Sequence, residues 1–299
     1  MISPTYSNSG SFTTFIYTMK RHPSPIIQPE ELIAASAEII LIDASAGPGA
    51  PENYTKQHLE GALYVSLNTQ LANVPANAAN GGRHPLPLPG QFAQVLGQLG
   101  ISAQSHVVIY DDKNGSNAAA RFWWMLRAAG HTNVQVLNGG FQAAVDAGFP
   151  VSSGTEQPQP TSPYPFTHWQ LPTATIDEVE AAAADTNHMV IDVRDADRYN
   201  SLTEPIDLIA GHIPGAVNIP FSSNLDDNGL FLSATALKDK YITALAGTAL
   251  DNAIVHCGSG VTACHTILAM DYAGLPLPKL YVGSWSEWSR SNKKLATKP

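Results

Sequence analysis

The sequence predicts an α/β protein of two tandem domains, each a mainly parallel sheet flanked by helices. Short β-branched runs, such as VVIY (107–110) and IVHC (254–257), alternate with helical patterns along the chain. This alternation is typical of a parallel sheet covered by helices. In addition, blocks of the first half recur in the same order in the second half. That recurrence indicates duplication of one such unit.

Four pairs of segments carry the repeat. The pairs are EIILIDAS (38–45) with HMVIDVRD (188–195), QHLEGALYVSL (57–67) with GHIPGAVNIPF (211–221), SHVVIYDD (105–112) with NAIVHCGS (252–259), and RAAGHTNVQVLNGGFQAA (127–144) with DYAGLPLPKLYVGSWSEW (271–288). The segments AAARFWWMLRAAG (118–130) and ACHTILAMDYAG (263–274) are predicted helices, each closed by a glycine.

A Pro-rich segment, SSGTEQPQPTSPYP (152–165), separates the halves and predicts an extended linker. We therefore expect a first domain over 30–151, a linker over 152–172 and a second domain over 173–299. Asp111 of the first half aligns with Cys257 of the second, so only the second domain offers a cysteine at this strand end.

The first 29 residues form a predicted N-terminal extension that is flexible. They contain Lys20 and Arg21, no acidic residue and many Ser and Thr. A disordered tail, or an upstream extension before Met19, is favoured over an organelle transit peptide. We therefore expect a cytoplasmic protein, with a mitochondrial location as the alternative.

Composition narrows the classes of partner and cofactor. The chain has 299 residues and a net charge of −9, which disfavours nucleic acid as a partner. No apolar run is long enough to span a bilayer, so no membrane partner is expected. Two cysteines make no disulfide framework, and no Cys/His cluster has zinc-ligand spacing. We expect no metal, no cofactor and a reducing compartment.

Both cysteines lie in one segment, HCGSGVTAC (256–264). Cys257 ends a predicted strand and precedes a helix expected from about residue 263, at the sheet edge where α/β proteins bind ligands. Gly258 and Gly260 tolerate the positive φ that a tight loop requires. Inward-pointing loop amides would form an anion-binding nest, and the helix N-terminus would add partial positive charge.

This environment favours a thiolate, so Cys257 is the predicted nucleophile. The less favoured interpretation is a small apolar side chain that caps a strand. The same nest would stabilise a terminal persulfide anion. Substrate contacts are expected from the loop, with Thr262 both capping the helix and donating to the sulfur. The predicted contact residues of the loop are Gly258, Gly260, Val261 and Thr262.

Two further observations restrict the chemistry. Cys264 lies two helical turns beyond Cys257 and is a predicted core residue, with a redox partnership as the minor alternative. Cysteine-dependent phosphatases close such a loop with an arginine that clamps phosphate oxygens. Here that position is Ala263. Phosphate chemistry is therefore disfavoured.

The tandem halves, GHIPGAVNIPF (211–221), CGSGVTAC (257–264) and SWSEW (284–288) together resemble the rhodanese superfamily, and more narrowly its two-domain mercaptopyruvate sulfurtransferases. The resemblance covers nearly all of residues 30–290. It implies that a small anionic donor, 3-mercaptopyruvate or thiosulfate, gives sulfur to Cys257. It also implies a thiophilic acceptor: cyanide, a thiol, or a protein such as a thioredoxin-like protein.

The resemblance also implies helper residues. Arg198, in DVRDADRYN (192–200), matches a substrate-binding arginine; the alternative is a surface residue paired with Asp195 or Asp197. Ser259 and His84 match members of a polar relay that assists the leaving group, which would place the site between the domains. For His84 an ordinary loop histidine is the alternative. Arg194 is expected to be structural and to tie the domains together.

Two positions depart from the family pattern. Ile206 stands where a second substrate-binding arginine is usual, and Asn68 stands where the relay has an aspartate. From the missing arginine we expect mercaptopyruvate to bind more weakly, by about tenfold or more, than in relatives that have it. The departures also motivate an alternative function, a rhodanese-like sulfur carrier or binding module with little turnover on small donors.

Overall fold

The computed structural model describes residues 23–35 and 39–297. The first unit contains seven strands: β1 (Ile26–Ile27), β2 (Ile39–Asp43), β3 (His58–Leu59), β4 (Leu63–Tyr64), β5 (His106–Tyr110), β6 (Val134–Leu137) and β7 (Val151–Ser152). Its helices are α1 (Pro29–Ala35), α2 (Ala50–Lys56), α3 (Pro89–Gln98), α4 (Ala118–Ala128) and α5 (Gly140–Asp146).

The second unit repeats the plan with fewer strands. They are β8 (Met189–Asp192), β9 (Val217–Asn218), β10 (Ala253–His256) and β11 (Lys279–Leu280). The helices are α6 (Ile176–Ala183), α7 (Ala196–Tyr199), α8 (Ala234–Leu245), α9 (Thr262–Tyr272) and α10 (Ser284–Trp288), with 3₁₀ turns at Phe221–Asn224 and Leu250–Asn252. Within the described residues, no helix combines the length and apolar character needed to cross a membrane.

The two sheets share one strand order. The first runs β1-β6-β5-β2-β4 and the second β11-β10-β8-β9, with every neighbouring pair parallel. The central strands β5 and β10 are almost wholly buried, as expected for parallel sheets covered on both faces. The predicted fold class, two α/β domains with parallel sheets flanked by helices, is confirmed.

The first sheet has an additional edge strand, β1, which lies inside the predicted flexible extension. Ile26 and Ile27 pair with Val136 and Leu137 of β6 and are 2% and 3% exposed. Burial of these two side chains holds the chain against the sheet before residue 30, so this part of the extension is ordered. Residues 1–22, the rest of the predicted extension, lie outside the described residues.

The predicted linker over 152–172 is extended but packs along the first unit. It begins in β7, which pairs antiparallel with β3. Tyr164 and Phe166 are buried, and the ring of Phe166 meets Phe92 of α3 edge-on at 6.0 Å. The linker therefore adds aromatic side chains to the core of the first unit.

Helices α4 and α9 pack against each other between the units. Every side chain of α4 except Arg127 is buried, and apolar residues of both helices belong to one continuous core. Each helix follows the loop at the end of a central strand. The packing therefore brings the carboxyl ends of the two sheets, and the loops 111–117 and 257–261, to a common interface.

His265 of α9 makes this interface sensitive to acid. Its Nδ1 lies 3.3 Å from the carbonyl oxygen of Gly115, and its ring packs 4.6 Å from that of Phe231. Burial lowers the pKa of His265 from 6.5 to about 4. Between those two pH values the unfolded chain binds more protons at this residue than the folded chain. Lowering the pH across this interval therefore favours unfolding.

We expect the protonation of His265 to lower the free energy of unfolding by about 3 kcal/mol as the pH falls from 6.5 to 4. Urea unfolding near both ends of that interval measures the change. His265→Phe keeps an aromatic ring in the same space but cannot take up a proton, so its stability should fall less on acidification. An equal fall in wild-type and variant protein would contradict the assignment to His265.

Candidate active site

The loop between β10 and α9 starts at Cys257 and reaches α9 at Thr262. Gly260 has a φ of +71°, and a Cβ there would come within 2.5 Å of the Val282 carbonyl oxygen. Glycine is therefore required at 260 for both conformation and space. Gly258 lies outside the left-handed region, contrary to prediction. A Cβ there would lie 3.1 Å from Nη2 of Arg83, so this flexible guanidinium group would have to move by a few tenths of an ångström.

Cys257 lies at the floor of a cleft of about 500 Å³ and is 2% exposed. Helix α10 holds the loop from behind. The amide of Cys257 donates to Ser284 Oγ at 3.2 Å, and its carbonyl oxygen accepts from the Trp285 amide at 3.0 Å. The carbonyl of Gly258 accepts from the Ser286 amide at 2.9 Å. The SWSEW motif therefore fixes the backbone that carries the cysteine.

The cleft lies between the two units. Asn68, His84 and Asn117 line it from the first unit, and Cys257 and Arg198 line it from the second. All predicted site residues line it except Gly260, whose role is in the loop backbone. The structure therefore brings the predicted residues together, although their catalytic roles remain predictions.

His84 connects the two units by hydrogen bonds. Its Nδ1 lies 2.8 Å from Ser259 Oγ, and its Nε2 lies 3.1 Å from Asn68 Oδ1. An amide oxygen only accepts, so Nε2 carries the hydrogen and Nδ1 accepts the Ser259 hydroxyl. Burial, together with the charges of Arg83 and Arg121, lowers the pKa of His84 to about 4. The ring is therefore neutral near pH 7.

This neutrality explains why asparagine fits at 68. A carboxylate partner stabilises an imidazolium cation, whereas an amide oxygen suffices to hold a neutral imidazole in one tautomer. Asn68 therefore orients His84 with Nδ1 toward Ser259. Ser259 lies two residues from Cys257 on the same loop, within the cleft.

Arginines form one wall of the cleft. Nη2 of Arg198 lies 2.7 Å from Glu204 Oε1 and 3.3 Å from Asp207 Oδ2. These partners differ from the Asp195 and Asp197 considered from the sequence. Nη1 of Arg198 lies 3.4 Å from where a Cβ of Gly258 would be, so its open end faces the loop.

Arg194 is buried and structural, as expected, but it does not tie the units together. Its Nη2 lies 2.6 Å from Asp192 Oδ2, its Nη1 lies 3.2 Å from Glu204, and its guanidinium carbon lies 4.7 Å from the centre of the Trp285 ring. All of these partners belong to the second unit. The expectation of a tie between the units by Arg194 is therefore wrong.

Arg121 makes that connection instead. This residue of α4 is fully buried; its Nη1 donates to the Gly260 carbonyl at 3.1 Å and its Nη2 to the His84 carbonyl at 3.0 Å. Sequence reasoning missed it, although it is the one charged residue between Ala118 and Leu126 in an otherwise apolar helix. Reasoning from the sequence also passed over Arg83, which precedes His84.

Two predictions for α9 have different outcomes. The residue before its first turn is Val261, and no side chain caps the helix, so the capping role of Thr262 is wrong; Thr262 lines the cleft. Cys264 is buried, and its thiol donates to the Gly260 carbonyl at 3.3 Å. Burial raises the pKa of Cys264 to about 12, which keeps it a thiol. Cys264 is therefore a core residue, as predicted.

The equivalent loop of the first unit, between β5 and α4, binds a carboxylate through backbone amides. The Asp111 carboxylate accepts from the amides of Lys113 and Gly115 at 2.9 and 2.8 Å through Oδ1. It also accepts from those of Asn117 and Ala119 at 3.0 and 3.1 Å through Oδ2. The loop and the first turn of α4 thus form an anion nest that holds the chain's own carboxylate. The loop after Cys257 occupies the equivalent position between β10 and α9, where the same kind of nest would suit a sulfur anion.

Comparison with known proteins agrees with this geometry. The rhodanese-like domain family matches the chain twice, over residues 28–147 and 175–291. The chain belongs to the rhodanese family. Each match covers one of the two units, and the resemblance inferred from the motifs is confirmed.

The relatives of this rhodanese-family chain are similar over most of its length. It is 37% identical over 261 residues to a probable 3-mercaptopyruvate sulfurtransferase of Pseudomonas aeruginosa, covering 86% of this chain and 89% of that one. It is 33% identical over 257 residues to a thiosulfate sulfurtransferase of Gallus gallus, covering 84% and 86%. A solved structure, 3-mercaptopyruvate sulfurtransferase from Leishmania major, matches with a TM-score of 0.79 at 32% identity and covers 90% of this chain and 75% of that one.

Proposed function

We propose that the protein is a sulfurtransferase that moves sulfane sulfur from a small anionic donor through a persulfide on Cys257 to a thiophilic acceptor. The observation that carries the proposal is the placement of Cys257. It lies at the floor of the cleft, at the start of the loop between β10 and α9, with Arg198 and the His84–Ser259 pair beside it. Relatives named as mercaptopyruvate and thiosulfate sulfurtransferases support both donor types.

In the first half-reaction the Cys257 thiolate attacks the transferable sulfur of the donor. With mercaptopyruvate an S–S bond forms and the C–S bond breaks, so the electron pair leaves on carbon as the enolate of pyruvate, which then takes a proton. With thiosulfate the leaving group is sulfite. Arg198 binds the donor's anionic oxygens, since a guanidinium fork suits them.

In the second half-reaction the acceptor attacks the outer sulfur of the persulfide. The S–S bond breaks, the Cys257 thiolate leaves, and the product is thiocyanate from cyanide or a persulfide from a thiol. We propose that the amides of the loop after Cys257 stabilise the anion in both states, as the equivalent amides of the first unit hold the Asp111 carboxylate. The Ser259 hydroxyl can give its proton to the enolate and take up the proton that the transferred sulfur loses on becoming the persulfide anion, while neutral His84 holds this hydroxyl through Nδ1.

We propose a thiol protein, such as a thioredoxin-like protein, as the acceptor in the cell, and the cytoplasm as its location. Both cysteines are unpaired, which supports a reducing compartment. The opening of the cleft to solvent gives an acceptor thiol access to the floor.

Steady-state kinetics test the proposed function. Wild-type protein with mercaptopyruvate or thiosulfate and cyanide should form thiocyanate over many turnovers. Sulfur that loads onto the protein without turnover on either donor would instead support the sulfur-carrier alternative.

A further inference from the structure

Arg83, contributed by the first unit, faces the nucleophile loop across the interface. Its Nη2 lies 3.1 Å from where a Cβ of Gly258 would be, and the Nη1 and Nη2 atoms of Arg198 lie 3.4 and 3.5 Å from the same point. Both arginines line the cleft with Cys257. Two guanidinium groups from different units therefore converge one residue from the nucleophile.

One buried carboxylate sets this arrangement. Asp207 Oδ1 accepts from Nε of Arg83 at 3.1 Å, and its Oδ2 lies 3.3 Å from Nη2 of Arg198. The Asp207 side chain is fully buried. Asp207 thus holds both arginines through one edge of each guanidinium group, and it leaves the remaining N–H donors of these groups without a bond to its carboxylate.

The open donors point at the cleft. Among the described residues, Nη1 and Nη2 of Arg83 and Nη1 of Arg198 have no hydrogen-bond partner, because the bonds to Asp207 and Glu204 use other atoms. Two guanidinium groups that each retain unpaired N–H donors are suited to bind the two coplanar oxygens of a carboxylate.

The surrounding charges leave this cluster cationic. Four guanidinium groups, those of Arg83, Arg194, Arg198 and Arg290, share three carboxylates, those of Asp192, Glu204 and Asp207. The neighbouring His256 is 3.8 Å from Asp192, and burial lowers the pKa of this histidine, so it adds no charge near pH 7. An anionic donor brings the charge that balances the cluster.

Ile206 lines the same cleft and is 52% exposed, so its side chain supplies no cation. Its neighbour Asp207 instead holds Arg83 in place. We propose that Arg83 is the second donor-binding arginine of this protein and that it binds the donor's carboxylate together with Arg198. This inference rests on the proposed sulfur transfer and names a residue of the first unit that sets specificity for its donor.

Arg83 supplies the cation that the sequence pattern lacks at Ile206. Arg83 therefore offsets the weak binding of mercaptopyruvate that was expected from Ile206. Placing an arginine at this position, as in Ile206→Arg, should then increase the affinity for mercaptopyruvate only a little. Sequence alignment within the second unit could not find this replacement, because the cation comes from a loop more than a hundred residues earlier in the chain.

The test uses Arg83→Gln and two readouts. Loss of one charged fork should raise KM for mercaptopyruvate about tenfold or more. It should leave kcat nearly unchanged, since the contact is made in ground state and transition state alike. Pyruvate has the carboxylate but no transferable sulfur. Its dissociation constant, measured by calorimetry on the full chain, should rise by a similar factor.

Two further variants keep the test decisive. Arg83→Lys keeps the charge but loses the planar fork, so its values should lie between wild type and Arg83→Gln. Lys293→Gln removes a cation that pairs with Asp177 and Glu180 outside the cleft, so its KM should stay near wild type.

The outcomes separate this inference from the proposed function. Unchanged KM and unchanged pyruvate affinity in folded Arg83→Gln would overturn the role of Arg83 while sulfur transfer stands. Wild-type protein that binds pyruvate through Arg83 but transfers no sulfur would support the two-arginine site and overturn the proposed function instead.

Discussion

Replacing Cys257 by serine should abolish sulfur transfer, whereas replacing Cys264 by serine should keep most of it. A serine hydroxyl is a far weaker nucleophile near neutral pH, and loss of a nucleophile lowers turnover by roughly a thousandfold or more. Cys264 does not line the cleft, is buried in α9 and remains a thiol. Its hydroxyl replacement can still donate to the Gly260 carbonyl.

Thiocyanate formation from each donor, measured on both variants beside wild type, checks this prediction. Circular dichroism confirms that each variant is folded. If the folded Cys264→Ser variant is inactive and the Cys257→Ser variant is active, the nucleophile is Cys264 and the assignment to Cys257 is wrong.

The second large effect is expected for Gly260→Ala. Its φ of +71° is unfavourable for alanine, and the new Cβ would meet the Val282 backbone oxygen at 2.5 Å. We expect about 2–5 kcal/mol of destabilisation, the sum of the left-handed conformation and overpacking. Activity should fall steeply as well, because the backbone of the loop that carries Cys257 must shift.

Gly274→Ala is the matched control. Gly274 has a φ of +70°, but a Cβ there would meet nothing within 4 Å. Only the conformational cost remains, about 1–2 kcal/mol. Denaturant unfolding of both variants measures the difference. Equal destabilisation would show that the contact with Val282 is relieved and that the loop is less constrained than the structure indicates.

Local features of the fold were predictable because they depend on short-range patterns. The strand, loop and helix around Cys257 lie within one residue of their predicted positions, since the apolar run, the glycines and the amphipathic helix are contiguous in sequence. The extra strand β1 was missed because two isoleucines carry no alternation that distinguishes a strand from a tail.

Contacts between the units were only partly predictable. The approach of His84 to Ser259 was expected from family resemblance, and its orientation by Asn68 follows from the structure. Arg83 and Arg121 were not found, because their roles depend on how α4 packs against α9. That packing is set by the whole buried surface between the units and not by any local motif.

Intact-mass spectrometry after incubation with mercaptopyruvate, and separately with thiosulfate, tests whether sulfur transfer passes through a persulfide on Cys257. Wild-type protein should gain one sulfur atom, peptide mapping should place it on Cys257, and added cyanide should remove it. Cys264→Ser should gain the same sulfur and Cys257→Ser none. No added sulfur with either donor, or sulfur retained in the Cys257→Ser variant, would contradict transfer through a Cys257 persulfide.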